Sequence, residues 1–330
     1  MIMKKLNRQI AFWALMLLFI PIIACQTEDE EESDGNWIRR SYFEGSNRSD
    51  ASTMIIGNRM FVVGGYTGDE YSNELWEYDS QNDNWVKRTA FPGVARSNAV
   101  SFSIGMKGYY GTGYDGRNRL NDFWEYDQPS DTWRKIASFP GTARHTAVGF
   151  ALNGFGYVGT GFDGSEQKDF YKYDPNTESW NSIVSMGGAK RSGAFVFVID
   201  DIAYIGGGIN NGSYQFDLWA LDGNTELWSQ KTDLDEDDYS IARTEATAFT
   251  IGGYGYLATG SNSTLVGTVW EYVPGLDIWQ EKTGFEGTLR TGASSFSDGL
   301  RAYVLLGRSS GSRFDDIWEF LPFETYEEDD

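Results

Sequence analysis

Six arginines recur along the chain at intervals of 47 to 52 residues: Arg48, Arg96, Arg144, Arg191, Arg243 and Arg290. A guanidinium is a permanent cation with a planar fork of donors that matches carboxylate and phosphate geometry, so this series could build an anion site. The same regularity suits an arginine that serves its own repeat by capping loop carbonyls. Departures from the regularity are therefore more informative. Two residues after each arginine the chain reads Asp50, Asn98, Thr146, Gly193, Glu245 and Gly292, which puts a carboxylate in the first and fifth repeats. Directly after the arginine, His145 stands where the other repeats carry Ser49, Ser97, Ser192, Thr244 and Thr291, and it is the single histidine of the chain. Asp50, His145 and Glu245 are thus the candidate proton-transfer groups. Tyr66, Tyr114 and Phe162 recur in the first three repeats, with Arg308 at the matching place in the sixth. Such rings could face a sugar or a peptide side chain, or simply pack a turn.

The elements that must position these residues are marked by tryptophan. Trp76, Trp124, Trp219, Trp270 and Trp318 form one series, with Tyr171 in its vacant slot, and Trp37, Trp85, Trp133, Trp180, Trp228 and Trp279 form another, nine residues behind the first within each repeat. A period near 48 residues in a chain of 330, with 16% aromatic residues, 39 Gly and 7 Pro, points to one repeat domain of short strands and turns. Each repeat reads as four strands. In the second they are 96–104, 107–113, 122–127 and 132–137, with alternating patterns such as Phe123-Trp124-Glu125-Tyr126-Asp127. A glycine follows the second strand in all six repeats: Gly65, Gly113, Gly161, Gly208, Gly260 and Gly307.

The glycine runs Gly64-Gly65 and Gly206-Gly207-Gly208, the paired aromatics and the period together resemble the kelch repeat. Thr112, Thr160, Thr259 and Leu306 replace the first glycine of the doublet in the other repeats. The resemblance spans residues 36–322 and implies an all-β, six-bladed β-propeller with four antiparallel strands per blade. The last repeat has Trp318 but no second tryptophan, whereas Asn36-Trp37-Ile38-Arg39-Arg40-Ser41-Tyr42-Phe43 matches Asn84-Trp85-Val86-Lys87-Arg88-Thr89-Ala90-Phe91. Residues 36–43 are therefore expected to supply the outer strand of the last blade and close the ring. In a propeller the first strand is innermost, so the resemblance places the six arginines around one mouth of the central channel. In kelch domains that bind acidic peptides, arginines at this repeat position contribute to recognition. The expected ligand-binding set is therefore Arg48, Arg96, Arg144, Arg191, Arg243, Arg290, Tyr66, Tyr114, Phe162 and Arg308.

The chain start reads differently. Residues 1–24 combine Lys4, Lys5 and Arg8 with an apolar run, as a secretory signal does. The end of this segment, Ile22-Ile23-Ala24-Cys25, resembles a bacterial lipobox, which implies lipidation of Cys25, the only cysteine. Residues 25–35 carry six acids and are expected to form a solvated tether, similar to that of surface lipoproteins of Bacteroidetes-type bacteria. Export and lipid anchoring to the outer membrane, with the domain at the cell surface, follow as expectations. Residues 323–330 read as an acidic tail, and Asp233, Asp235, Glu236, Asp237 and Asp238 as a solvated acidic loop without the spacing of a calcium site. A net charge of −21 argues against nucleic acid as partner.

No nucleophile elbow, phosphate loop or metal ligand set is legible, and no cofactor is expected, including the copper of galactose-oxidase relatives. The first functional expectation is a binding scaffold whose mouth takes a protein, peptide or glycan bearing anionic groups. The alternative is acid–base chemistry on an acidic sugar, as in the sialic-acid mutarotases, which share the fold.

Overall fold

The computed structural model describes residues 35–234 and 241–327. The signal segment, Cys25, nearly all of the tether, Asp235–Asp238 and the last three residues lie outside the described residues. Described strands form six four-stranded antiparallel sheets and two short hairpins. In the first blade the strands are Ser52–Ile56, Arg59–Val63, Leu75–Asp79 and Asn84–Arg88, here called a to d from the inside outward. Strand a of blades two to six is Val100–Ile104, Val148–Leu152, Phe195–Ile199, Thr247–Ile251 and Ser294–Ser297. The hairpins Ile209–Asn210 with Ser213–Tyr214, and Arg308–Ser309 with Ser312–Arg313, sit between strands b and c of blades four and six.

Blade six takes its strand d from the chain start, as the tryptophan register requires. Asn36–Arg39 pairs antiparallel with Ile317–Leu321, Trp37 lying opposite Phe320. Strand d ends at Arg39, short of the expected boundary at 43, but the segment goes on to bridge the seam. Ser41 donates its backbone N–H to Asp83 of blade one at 3.0 Å, and the buried Phe43 packs edge-on against Trp76 and Trp85. Arg40 and Arg301 both pair with the fully buried Glu319.

That seam contact explains the whole tryptophan frame. After each strand d an apolar residue inserts between the two aromatics of the next blade: Phe91 against Trp124 and Trp133, Phe139 against Tyr171 and Trp180, Phe285 against Trp318 and Trp37. Met186 and Leu234 fill the same role at the other junctions. Tyr171 serves the slot as a tryptophan does because the contact needs only a ring edge or face.

The first residues of the expected strand a are not ladder. Asn98 has φ +52°, so residues 96–99 turn before strand a begins at Val100. The glycine after strand b is required on two counts. Gly113 has φ +96°, and a Cβ there would lie 2.9 Å from both the Ser97 carbonyl and the Ala99 side chain.

Candidate binding site at the channel mouth

The six arginines lie inside the blades, not on the channel wall as the sequence suggests; none is more than 1% exposed. Arg96 shows the pattern. Its guanidinium lies over the Phe91 ring at 4.9 Å and donates to the carbonyls of Val94 and Thr112, each at 2.9 Å. It also forks onto Asp122 at 2.7 and 2.9 Å, and Asp122 accepts the indole N–H of Trp124 at 2.8 Å. Asp169 and Asp316 take the same fork from Arg144 and Arg290, while Glu74 and Asp217 each take a single bond from Nη2 of Arg48 and Arg191. In blade five Arg243 donates to the carbonyl and hydroxyl of Thr268. A buried guanidinium must satisfy its donors, and here it joins the inserted phenylalanine, the blade's own loop and the tryptophan into one junction. Burial alone would raise the acids; hydrogen bonds from the arginines more than offset it, holding Asp122 and Asp316 below the ordinary carboxylate range and Glu74, which Lys87 also binds, down to about 2.

The residues two places after the arginines do reach the channel. All six are left-handed, with φ between +51° and +64°. Each donates its backbone N–H to the carbonyl of its counterpart one blade away, from Asp50 to Gly292 at 2.8 Å round to Gly292 and Glu245 at 3.2 Å, which makes a closed belt of six hydrogen bonds. Below the belt six alanines, Ala51 to Ala293, line a cavity of about 140 Å³, and the bore beyond holds about 260 Å³. Each is smaller than the roughly 300–1,000 Å³ typical of small-molecule pockets.

Two tiers stand on the loop side of the belt. Tyr66, Tyr114, Phe162, Ile209, Ser261 and Arg308 form the inner tier, each bridged to the residue after an arginine. Each pairs in turn with an outer residue from the b–c connection: Tyr71, Arg119, Glu166, Tyr214, Leu265 and Arg313. The two tiers differ sharply around the ring. Across blades one to three the rings run Tyr66–Tyr71 at 4.7 Å, Tyr71–Tyr114 at 6.2 Å, Tyr114–His145 at 5.6 Å and His145–Phe162 at 5.6 Å. Cations cap both ends of this arc: Arg119 lies over Phe162 at 5.0 Å, and Arg313 over Tyr66 at 4.7 Å. The Nε of each is buried without a hydrogen-bond partner, and neither arginine joins an ion pair among the described residues.

Beside the end of the arc that Arg313 caps, the structure brings together Asp50, Glu245 and Arg308. Nη1 of Arg308 reaches both oxygens of Asp50 at 2.5 and 2.6 Å, and Nη2 reaches Glu245 at 2.6 Å. Gly292 makes this possible, since a Cβ there would lie 2.3 Å from Asp50 Oδ1 and 2.5 Å from Arg308 Nη1. Ser49 and Thr291 donate hydroxyls to Asp50 and Glu245. Burial raises Asp50 above the usual carboxylate range; Arg308 opposes the rise and Glu245 adds to it. Burial, then Arg119, lowers His145 below the ordinary histidine value despite the attraction of Asp50. Tyr71, Arg119 and Arg313 were invisible in the repeat frame, because the b–c connections differ in length between blades.

The comparisons agree with this architecture. A family model described as the KLHDC2/KLHL20/DRC7 Kelch-repeats domain matches residues 39–189, the first three blades. Among solved structures, that of YjhT superposes with a TM-score of 0.73 at 16% identity, covering 84% of this chain and 95% of that one. No curated protein matches. With the kelch match on three of the six blades and the same four-stranded blade carried through all six repeats, the chain folds as a β-propeller of the kelch-repeat type.

Proposed function

We propose that the propeller is a binding scaffold whose mouth takes an anionic ligand or partner presenting a flat face. The observation that carries this reading is the aromatic arc flanked by Arg119 and Arg313, cations stacked on its end rings that join no ion pair among the described residues. A guanidinium stacked on a ring is pre-oriented, and its free edge suits a carboxylate, sulfate or phosphate. The ring faces of Tyr66, Tyr71 and Tyr114 supply area for a sugar or an aromatic group. The test is calorimetric titration with benzenesulfonate, which keeps its charge, against neutral benzenesulfonamide. Binding of the sulfonate alone, lost in the Arg119→Gln, Arg313→Gln double variant with an unchanged melting temperature, is the expected result. Equal binding of both probes, or full binding by the variant, would refute the anion site.

A second reading is favoured by the Asp50–Glu245 pair. Two nearby carboxyls in different environments, one displaced upward, are a recurring acid–base arrangement. Faster anomerisation of a sugar acid by the protein, abolished by Glu245→Gln, would support an enzyme. The chain start supports a lipoprotein of the cell envelope; incorporation of labelled palmitate that is lost in Cys25→Ala is the corresponding test.

A further inference from the structure

Arg308 is the third arginine of the mouth, and it alone is neutralised from within. We propose that Asp50 and Arg308 form a proton-operated clasp: a proton on Asp50 loosens the Nη1 edge of Arg308, which stays on Glu245 through Nη2, to face an anion at the mouth, so that anion and proton bind together. The inference rests on reading the mouth as an anion site.

The geometry separates the two jobs. The side chain of Asp50 is 8% exposed, while those of Arg308 and Glu245 are 29% and 27% exposed, so the proton acceptor is enclosed and the cation is at the rim. Both oxygens of Asp50 rest on one nitrogen of Arg308, and a proton on either removes half of that contact. Arg308 begins a two-residue hairpin in which it pairs with Arg313, so once loosened that edge extends the cationic end of the aromatic arc. The charged and titratable groups that face Asp50 are Arg308 and Glu245, with His145 and Tyr71 within electrostatic reach. The enclosed site and Glu245 favour the protonated form of Asp50, and an arriving anion adds negative charge that favours it further. By linkage the proton must then strengthen the anion as much as the anion strengthens the proton.

The test measures benzenesulfonate affinity of the full chain between about pH 7.5 and about pH 5, a window around the ordinary histidine and above the ordinary carboxylate titration. Wild type should bind more tightly as pH falls, by up to about tenfold per pH unit for one coupled proton. Asp50→Asn should bind at the low-pH affinity of wild type at every pH, and His145→Gln should keep the wild-type slope. A slope that persists in Asp50→Asn, or vanishes only in His145→Gln, overturns the clasp, as does pH-independent binding by wild type. Absence of benzenesulfonate binding at any pH would instead reject the anion site, and the clasp is then judged by NMR. Side-chain nitrogen signals of Arg308 should change at the pH where the Asp50 carboxyl carbon titrates; signals that stay fixed through that titration overturn it.

Discussion

Replacing Trp37 by alanine tests how the ring is closed. Its side chain is 0% exposed, packs against Phe320 at 4.6 Å with the rings tilted by 31°, meets Phe285 edge-on at 5.0 Å, and donates its indole N–H to the Thr283 carbonyl at 3.3 Å. A buried tryptophan removes about 150–250 Å² from water, which at about 25 cal/mol per Å² is roughly 4–6 kcal/mol. Alanine recovers part of that area, and measured truncations of this kind cost about 3–5 kcal/mol. A domain of about 290 residues has an unfolding entropy near 0.6 kcal/mol per kelvin, so a loss of about 4 kcal/mol lowers the melting temperature by about 7 °C. Differential scanning calorimetry of the soluble domain, with and without the substitution, measures it. A shift under about 2 °C, the scale of a surface substitution, would mean that residues 36–39 decorate the last blade without closing it.

Four further outcomes follow from the junctions and the mouth. Asp122→Ala leaves the buried Arg96 without its carboxylate and should cost about 3–5 kcal/mol in urea unfolding, with no loss of benzenesulfonate binding per folded molecule. Gly292→Ala pushes a methyl between Asp50 and Arg308 at a left-handed position; it should destabilise by more than about 1 kcal/mol and raise the Asp50 titration midpoint in NMR. Acid should act through the junctions: Glu74, Asp122 and Asp316 have folded pKa values below their unfolded ones, so their stabilisation is present above about pH 4 and is lost as pH falls through the folded values, for Glu74 about 2. Asp50 is displaced the other way, so its contribution is present at low pH and lost as pH rises through its folded value; melting curves of Asp50→Asn against wild type from about pH 4 to pH 7 should therefore move in favour of the variant.

The blade count, the strand order and the closing strand were legible because they depend on side chains that must alternate and pair, and period and register report those directly. The position of the arginines along the chain was equally legible, but their destination was not. Spacing locates a Cα, whereas a guanidinium sits at the end of a long flexible stem, and only the packed structure decides whether it turns toward the channel or back over Phe91. The exceptional residues fared unevenly. Asp50 and Glu245 met because the belt brings their positions to one rim, while Arg308 reached them across a gap that only the absence of a side chain at Gly292 leaves open. Tyr71 and Arg119 lie five residues beyond their inner-tier partners, but Glu166 and Leu265 lie four beyond theirs, so no fixed period could align them.

The belt of six hydrogen bonds is made wholly of main-chain atoms. Assembly of the ring thus asks nothing of the side chains that project from it, and the rim can be respelled without rebuilding the propeller. Its grammar is restricted only by the left-handed backbone, which glycine, asparagine and aspartate tolerate best. Thr146 and Glu245 are the two letters that go against this grammar, at about 1–3 kcal/mol each. At Glu245 the strained position carries a carboxylate that pairs with Arg308 at 2.6 Å, so the rim there holds charge where a glycine would have held none.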